Sequence, residues 1–509
     1  MKPNEENDKK GQKKSLPIFP TGKVIAFLKK TAAKGDNRTF AIDPFDRQRV
    51  VVANQKIVLL KNPPETDDLV IKCQRLVNKQ IEEAKLNVRV LRRSPCNPEL
   101  VLLEADGLHF VVNETGSFQV TPADGLDWQT PEGLASNVVH LHPDQQTPPP
   151  TRDDDDGTLP PVRDPFQPLT EYWLEKARQH NDSFSGAPVV AIFDSGIDVI
   201  VYHWNREPNL PARYPAGSDV RACPLWYNNK PPTCTTLGTD RVGWNFVNYQ
   251  RFAPGTCADP FDDNANAKHG TRIAAIIAKE TAWNVRIMSL KTHDYRGVGE
   301  HFDIFCALEY VLHRSDVRVI NASWGHYGAS IPLMETYLCK LADNNIWLIA
   351  SAGNRNDFGT GTPTQIGEPG VPASFHYPAC YSTRPGMKVI TVTTVSKDPS
   401  LPAERRQNRF ENYSNVFVDV AVAAGDDGKF AESLGTNPAA AGLMAPRLSG
   451  SSYATAYFTG RVAFHLFNRG ADSQKSDIVN ALTRIDPNLG DVLGGRYCEA
   501  ERPALAPAG

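Results

Sequence analysis

The chain of 509 residues is 40% hydrophobic and 22% charged, and its formal net charge is −3. This composition is typical of a soluble globular protein with room for about two to four domains, or for one large α/β domain and a smaller partner. The nearly balanced charge argues against nucleic acid as a partner, and no apolar run is long enough to span a bilayer. We therefore expect neither nucleic acid nor a membrane among the partners.

The N-terminus and the cysteines indicate the compartment. Residues 1–14 are rich in Lys and Glu and lack the apolar region of a secretory signal. The nine cysteines show no Cys-x-x-Cys or Cys/His spacing of the kind that binds zinc. Cys223, Cys234 and Cys257 lie in one loop-rich region and could pair outside a cell. We expect reduced thiols and a cytoplasmic location, with secretion as the alternative.

Residues 15–142 predict a small, independent α+β domain without an obvious site. Its strand-like apolar runs are residues 39–42, 49–52, 56–60, 88–91, 100–103 and 108–112. Between these runs, residues 67–86 predict a helix. The apolar residues at helical spacing there are Leu69, Cys73, Leu76, Val77 and Ile81.

The ends of the chain and the segment after this domain predict little packing. Residues 1–14 are expected to form a disordered arm and residues 501–509 a tail. Residues 143–168 contain two runs of Pro and four consecutive Asp residues. A segment of this composition cannot bury much surface, so we expect an extended, solvated linker.

Residues 169–500 alternate strand-like and helical runs. Strands are predicted at residues 188–193, 317–323, 346–352 and 388–395. Helices are predicted at residues 170–179, 271–279, 302–314, 333–344 and 473–484. Apolar strands that alternate with helices imply a mostly parallel sheet covered on both faces. In such sheets functional groups gather at the carboxyl ends of the strands.

Four polar residues stand where this rule expects them. Asp194 directly follows a predicted strand, and His269 opens an apolar helix. Asn354 follows another predicted strand, and Ser452 begins the helical run after Gly450. Each has a structural interpretation when taken alone: an Asx turn, a loop histidine, a turn residue and a helix cap. Together they supply the carboxylate, imidazole, amide and hydroxyl that acyl transfer requires.

These segments resemble the motifs of the subtilisin-like serine proteases, the subtilase or peptidase S8 family. The matching segments are Asp194-Ser195-Gly196, His269-Gly270-Thr271, residues 319–325, residues 351–354 and residues 450–454, in the Asp, His, Ser order of that family. The resemblance spans residues 187–484. It implies a subtilisin-like three-layer α/β domain with a mostly parallel sheet, preceded by the small α+β domain.

The resemblance implies a serine endopeptidase that works through an acyl-enzyme intermediate. Ser452 lies two positions after Gly450 in the nucleophile motif, so the register makes Ser452 the nucleophile. His269 would be the general base, Asp194 would hold the imidazole, and Asn354 would bind the oxyanion. The Pro that the family carries four residues after the nucleophile is Ala456 here, a departure that removes no reacting group.

The resemblance also implies a substrate-binding surface. Ser323, Trp324 and Gly325 would pair with an extended substrate, and Ala352 and Gly353 would lie beside its reacting carbonyl. Trp324 either walls an outer apolar pocket or fills the core. No acidic residue is assignable to the primary pocket, so no strict dibasic preference is predicted. No cofactor is required, and a structural calcium ion fits the family although its ligands cannot be assigned.

Two other functions fit the same residues. In a peptide ligase or macrocyclase an amine intercepts the acyl-enzyme in place of water, and a catalytically inactive chain would use the same fold as a binding module. For residues 15–142 we expect a prodomain-like or regulatory region that contacts the catalytic domain. The alternative is a tethered domain that recruits a partner. The expected intermolecular partner is a protein or peptide substrate.

Overall fold

The structure is a computed structural model. It describes residues 20–31, 38–43, 46–60, 68–77, 80–105, 118–121, 134–141, 171–198, 224–228, 234, 240–247, 260, 262, 268–355, 357–358, 361–397, 407–425, 428–430, 448–470, 472–487, 489–490 and 492–500. The predicted arm, linker and tail lie outside these residues, as does the strand predicted at residues 108–112. No helix in the described part of the chain has the length and apolar character needed to cross a membrane.

The described residues form seven α-helices and twenty strands. The helices are α1 (Thr21–Lys30), α2 (Glu171–Ser183), α3 (His269–Glu280), α4 (His301–Leu312), α5 (Pro332–Asp343), α6 (Ser451–Arg469) and α7 (Lys475–Leu482). The strands of the first part are β1 (Phe40–Asp43), β2 (Asp46–Leu59), β3 (Asp68–Val77), β4 (Gln80–Arg93), β5 (Leu100–Ala105), β6 (Phe118–Thr121) and β7 (Leu134–Leu141). The later strands are β8 (Val189–Asp194), β9 (Gly243–Asn245), β10 (Arg286–Lys291), β11 (Val298–Glu300), β12 (Val317–Ala322), β13 (His326–Tyr327), β14 (Trp347–Ser351), β15 (His376–Tyr377), β16 (Val389–Lys397), β17 (Gln407–Arg409), β18 (Val420–Ala424), β19 (Arg484–Ile485) and β20 (Arg496–Glu499).

The larger sheet has ten strands in the order β19-β20-β18-β16-β14-β12-β8-β10-β9, with β17 beside β16. Its pairs are parallel except at β17 and β19. The predicted mostly parallel sheet is therefore confirmed. Six strands of this sheet were missing from the prediction, namely β9, β10, β17, β18, β19 and β20.

Alternate residues of β8 divide between two apolar clusters. Val189, Ala191 and Phe193 pack in one cluster with residues of α4 and α5. Val190 and Ile192 pack in the other with residues of α3 and α6. Because side chains along a strand point alternately to opposite faces, each face of this strand has its own cover of helices. Both faces of β8 are apolar, and its polar residue, Asp194, stands at its carboxyl end.

The first part of the chain forms a second sheet of eight strands. Its order is β11-β7-β2-β5-β4-β3-β6, with β1 beside β2. Strand β11 belongs to the later part of the chain and pairs antiparallel with β7. Strand β11 thus completes the edge of this sheet, while the predicted independent domain of residues 15–142 stays a prediction. A disulfide between Cys96 and Cys234 makes a second connection and contradicts the reduced thiols expected for these residues. The sequence had suggested partners for Cys234 only among nearby cysteines.

The helix predicted at residues 67–86 is a β-hairpin. Strands β3 and β4 pair antiparallel throughout, with Leu76 opposite Ile81 near the turn. Leu69, Ile71 and Cys73 also recur at a spacing of two, so the same run fits a strand. Pairing with β5 and β6 on either side decides between the two periods. The two runs predicted at residues 49–52 and 56–60 belong to the single strand β2.

Candidate active site

The carboxyl end of β8 and the first residue of α3 bring Asp194 and His269 together. Nδ1 of His269 lies 2.9 Å from each carboxylate oxygen of Asp194. Both side chains are buried. The backbone N–H of Ser195 donates to Oδ1 of Asp194 at 2.7 Å. The carboxylate is thus held by the backbone and in turn fixes the imidazole with Nε2 as its outward nitrogen.

The start of α3 is held by a residue that the sequence analysis did not select. The buried Oδ2 of Asp262 accepts hydrogen bonds from the backbone N–H of Thr271 at 3.1 Å and from its hydroxyl at 2.6 Å. The Asp262 carboxylate therefore caps the N-terminus of α3, although Asp262 is not part of the helix. Burial raises the pKa of Asp262, and the nearby Lys291 and Lys268 act against that shift. The signal in the sequence was the resemblance of residues 260–264 to the family's sequence before the histidine, although it gave Asp262 itself no role.

Ser452 lies in the first turn of α6, beside the end of β12. Its hydroxyl donates to the carbonyl oxygen of Ser323 at 3.3 Å, and the hydroxyl of Ser323 donates to the carbonyl oxygen of Ser452 at 3.0 Å. The ring of Tyr453 lies 5.6 Å from that of His269 between centroids. The first turn of α6 therefore lies next to the imidazole. Gly450 precedes this turn at φ 129°, a conformation that favours glycine.

The side chain of Asn354 is fixed by Ser451. Its Oδ1 accepts hydrogen bonds from the backbone N–H of Ser451 at 2.8 Å and from the Ser451 hydroxyl at 3.0 Å. The backbone N–H of Asn354 donates to Asp357 at 2.8 Å. With its oxygen turned to the start of α6, the amide NH₂ group is the free branch of the side chain. Sequence reasoning had given Ser451 no role beyond standing next to the nucleophile.

The predicted substrate segments follow β12 and β14. Ser323, Trp324 and Gly325 come directly after β12, and Ala352 and Gly353 come directly after β14. Strands β12 and β14 are parallel neighbours in the larger sheet, so both segments lie at its carboxyl edge. Gly353 has φ +84°, and a Cβ there would lie 2.5 Å from the hydroxyl of Tyr327. The structure therefore brings the two segments to the same edge of the sheet.

Strand β7 covers this edge. It pairs with β11 so that His140 is opposite Gly299. The ring of His140 also lies 5.3 Å from that of Trp324 between centroids. Trp324 is consequently buried, 1% exposed, against the first part of the chain. Strand β7 therefore contacts β11 and Trp324, while the docking expected for residues 15–142 as a regulatory region stays a prediction.

One group of side chains in the described part of the chain has the spacing of metal ligands. It consists of His140 of β7, His301 of α4 and His326 of β13, and it shares no residue with the Asp194–His269 pair. The sequence analysis had assigned no metal ligands. The calcium site expected from the resemblance stays a prediction.

Comparison with known proteins gives one family. The model of the subtilase family matches residues 185–480. No curated protein matches the chain. Among solved structures, a subtilase cytotoxin assembly is similar at 17% identity and a TM-score of 0.40, over 64% of this chain and 93% of that one. The A subunit of the AB5 toxin from E. coli is similar at 17% identity and a TM-score of 0.40, over 64% and 96%. A cold adapted subtilisin-like serine proteinase is similar at 19% identity and a TM-score of 0.38, over 63% and 91%.

Proposed function

The chain belongs to the subtilase family, and on this premise we propose that it is a serine endopeptidase restrained by its own N-terminal region. The observation that carries the catalytic part is the contact of both Asp194 oxygens with Nδ1 of His269 at 2.9 Å. A carboxylate in this position keeps the proton on Nδ1 and leaves Nε2 as the base. That is the tautomer that general-base catalysis by histidine requires.

The proposed reaction begins when the Ser452 hydroxyl leaves the Ser323 carbonyl and turns to Nε2 of His269. Oγ attacks the peptide carbonyl while the imidazole takes the hydroxyl proton, and the tetrahedral intermediate forms. The imidazolium is stabilised by Asp194 and gives its proton to the leaving amine. Water then repeats the sequence on the acyl-enzyme and releases the acid. Acylation and deacylation therefore each begin with a neutral imidazole, and each ends when the imidazolium returns its proton.

The oxyanion is proposed to be bound by the NH₂ group of Asn354 and the backbone N–H of Ser452. The two hydrogen bonds from Ser451 to Oδ1 of Asn354 support this role because they orient the amide before substrate binds. A donor that is already oriented costs no reorganisation when the charge develops. Ser452 in the first turn of α6 adds a free helical N–H and the positive end of the helix dipole.

The proposed restraint is based on β7. An extended substrate would pair with the backbone edge near Ser323, Trp324 and Gly325, in the manner of an added strand. The cavity at this edge has walls from both parts of the chain. They are Val24, Val50 and Val139 on one side and Trp324, Gly325 and Gly353 on the other. A substrate strand that enters there has to displace β7, so the full chain is proposed to be less active than a chain with β7 released.

The catalytic proposal is tested by labelling the full chain with a fluorophosphonate and locating the adduct by mass spectrometry. We expect a single adduct at Ser452, none on Ser452→Ala, and retained labelling on Ser451→Ala. An adduct at Ser451 would show that the assigned register is wrong. No adduct on any form of the protein, β7 released or not, would favour the inactive binding module. Products joined to an added amine in place of hydrolysis would favour the ligase.

A further inference from the structure

Three histidines from distant parts of the chain meet where β7 contacts residues 169–500, the proposed catalytic part. His140 is on β7, His301 is the first residue of α4, and His326 is in β13. One ring nitrogen from each lies within 4.8 Å of the others. The ring centroids of His140 and His301 are 4.3 Å apart, and those of His301 and His326 are 4.9 Å apart. Because each residue comes from a separate element, no spacing along the sequence could indicate the group.

The group is buried and includes nitrogens that need a partner. His301 is 0% exposed, and neither of its ring nitrogens has a hydrogen-bond partner among the described residues. Nδ1 of His326 is likewise buried without a hydrogen bond in the described part of the chain. A buried polar atom left in this state costs about 1–3 kcal/mol. A single ligand bound by all three rings would satisfy these buried nitrogens.

The orientation of His326 also fits a metal ligand. Its Nε2 lies 3.3 Å from the carbonyl oxygen of Ala329, which assigns the proton to Nε2 and leaves the lone pair on Nδ1. A histidine that binds a metal usually donates its other N–H to a carbonyl or carboxylate in this way. The unbonded Nδ1 is thus the nitrogen of His326 that is available to a metal ion.

Burial, with a smaller contribution from nearby positive charge, favours neutral imidazoles in this group. Burial is the largest cause that lowers the pKa of His301 and of His326 well below the usual range, and His140 and Arg49 act in the same direction. Neutral imidazole is the form that binds a metal. Arg49 is itself paired with Asp43 and Asp46, each at 3.2 Å, so its positive charge is offset by two carboxylates.

We propose that His140, His301 and His326 bind one Zn²⁺ ion, or a similar divalent transition metal, that fastens β7 to the catalytic part of the chain. Three imidazoles are a recurring donor set for this class of ion, and water would complete the tetrahedron. Zn–N bonds of about 2.0–2.1 Å separate the nitrogens by about 3.3 Å, so the rings have to approach one another by about an ångström on binding. The ion enters as β7 docks, because the docked site is closed.

The site would make the attachment of β7 depend on metal. Two of the three ligands are in the catalytic part and one is on the strand that covers the predicted substrate edge. Binding free energy is therefore available only when β7 is in place, and the metal stabilises the docked state by linkage. The regulatory consequence depends on the proposed function, whereas the site itself does not.

The experiment measures metal binding on the full chain carrying Ser452→Ala, so that its outcome is independent of catalysis. The protein is stripped with a chelator and titrated with Zn²⁺ against a chromophoric competitor, and its thermal unfolding is followed with and without one equivalent. We expect one tight site per chain and a higher unfolding midpoint with Zn²⁺. His140→Gln, His301→Gln and His326→Gln should each weaken binding by about 100-fold or more.

The matched control is His180→Gln, which replaces another buried histidine, one that bonds to the carbonyl of Val285 and lies outside the group. It should bind Zn²⁺ like the parent chain. Co²⁺ bound to the parent chain should give the visible absorption of a tetrahedral site, a readout that requires no histidine variant to fold. The proposal is overturned if the stripped parent chain takes up no Zn²⁺ and its unfolding midpoint does not change. It is also overturned if the three variants bind as tightly as the control.

Discussion

At the scale of single residues, the orientation of Asn354 matters as much as its presence. Its oxygen accepts two hydrogen bonds from Ser451, and these bonds turn its NH₂ group away from α6. Ser451, next to the proposed nucleophile Ser452, therefore positions Asn354, and its hydroxyl supplies one of the two hydrogen bonds. The tie between Ser323 and Ser452 has the same character, since it fixes the first turn of α6 to the end of β12.

Asn354→Ala is expected to lower kcat by about 10² to 10³ with little change in KM, because the lost hydrogen bond forms only in the transition state. The measurement is steady-state hydrolysis of a peptide substrate. Ser451→Ala is the matched control. It keeps the backbone donor to Asn354 and loses only the hydroxyl, so kcat should fall by about five- to tenfold. An unchanged kcat for Asn354→Ala would mean that another group binds the oxyanion.

The buried His180 is expected to make the free energy of unfolding fall in acid. Its Nε2 lies 2.7 Å from the Val285 carbonyl, and burial lowers its pKa from 6.5 to about 4. Because the unfolded chain binds the proton more readily, stability is complete above pH 6.5 and falls as the pH drops toward 4. His180→Gln keeps the donor and cannot titrate. Between pH 8 and pH 5 the parent chain should lose about 2 kcal/mol more unfolding free energy than this variant.

Chemical denaturation of both proteins at the two pH values gives this difference directly. The other buried histidines titrate in both proteins, so their effect cancels in the comparison. Equal losses in the two proteins would show that His180 is protonated as easily in the folded chain as in the unfolded one.

At the scale of elements, β7 and α4 depend on each other. Helix α4 begins without a side-chain cap of its own. Asn137 of β7 accepts a hydrogen bond from the backbone N–H of Phe302 at 3.1 Å, and its NH₂ group donates to Glu300 at 2.8 Å. The Asn137 side chain is fully buried where β7 meets the start of α4. The docked strand therefore supplies the cap of a helix in the catalytic part.

Asn137→Ala is expected to lower the unfolding free energy by about 1–2 kcal/mol and to speed hydrogen exchange at the first amides of α4. Gln474→Ala is the control, because Gln474 caps a different helix, α7, in a capping box that it forms with Asp477. Gln474→Ala should lower the unfolding free energy by a similar amount and leave hydrogen exchange in α4 unchanged. Unchanged exchange at Phe302 in Asn137→Ala would contradict the capping role.

The elements also show what sequence can supply. The motif residues Asp194, His269, Asn354 and Ser452 each follow or begin a predicted strand or helix, so their convergence could be foreseen from the rule for parallel sheets. The hairpin at β3 and β4 could not, since its apolar spacing fits both periods and pairing with neighbouring strands decides. Asn137 and His140 gave no signal either, because their partners lie more than a hundred residues away.

At the scale of the whole molecule, covalent and ionic contacts hold the first part of the chain on the second. The Cys96–Cys234 disulfide joins residues that are 138 positions apart. Arg92 of β4 forms an ion pair with Asp303 of α4 at 2.6 Å, and the side chains are only 10% and 6% exposed. A buried pair that loses one member is destabilised by about 3–5 kcal/mol, so these contacts favour the docked arrangement strongly once it has formed.

Cys96→Ser is expected to lower the unfolding free energy by about 2–5 kcal/mol under oxidising conditions, because the disulfide closes a long loop. The variant should then show no further response to a reducing agent, whereas the parent chain should become as unstable as the variant. Cys339→Ser replaces an exposed free cysteine and is the control. Equal stability of parent and Cys96→Ser without reductant would show that the disulfide does not form in solution.

The central claim, a serine peptidase restrained by β7, is tested most directly by the rate of fluorophosphonate labelling at Ser452 before and after release. A recognition sequence for a site-specific protease is placed within residues 143–168, the chain is cut there, the disulfide is reduced, and the protein is diluted. Cutting removes the tether that keeps β7 at millimolar effective concentration, so we expect labelling to become about tenfold faster or more. The uncut, reduced chain is the control. Labelling at the same rate in both would contradict the restraint, and no labelling in either would contradict the catalytic assignment.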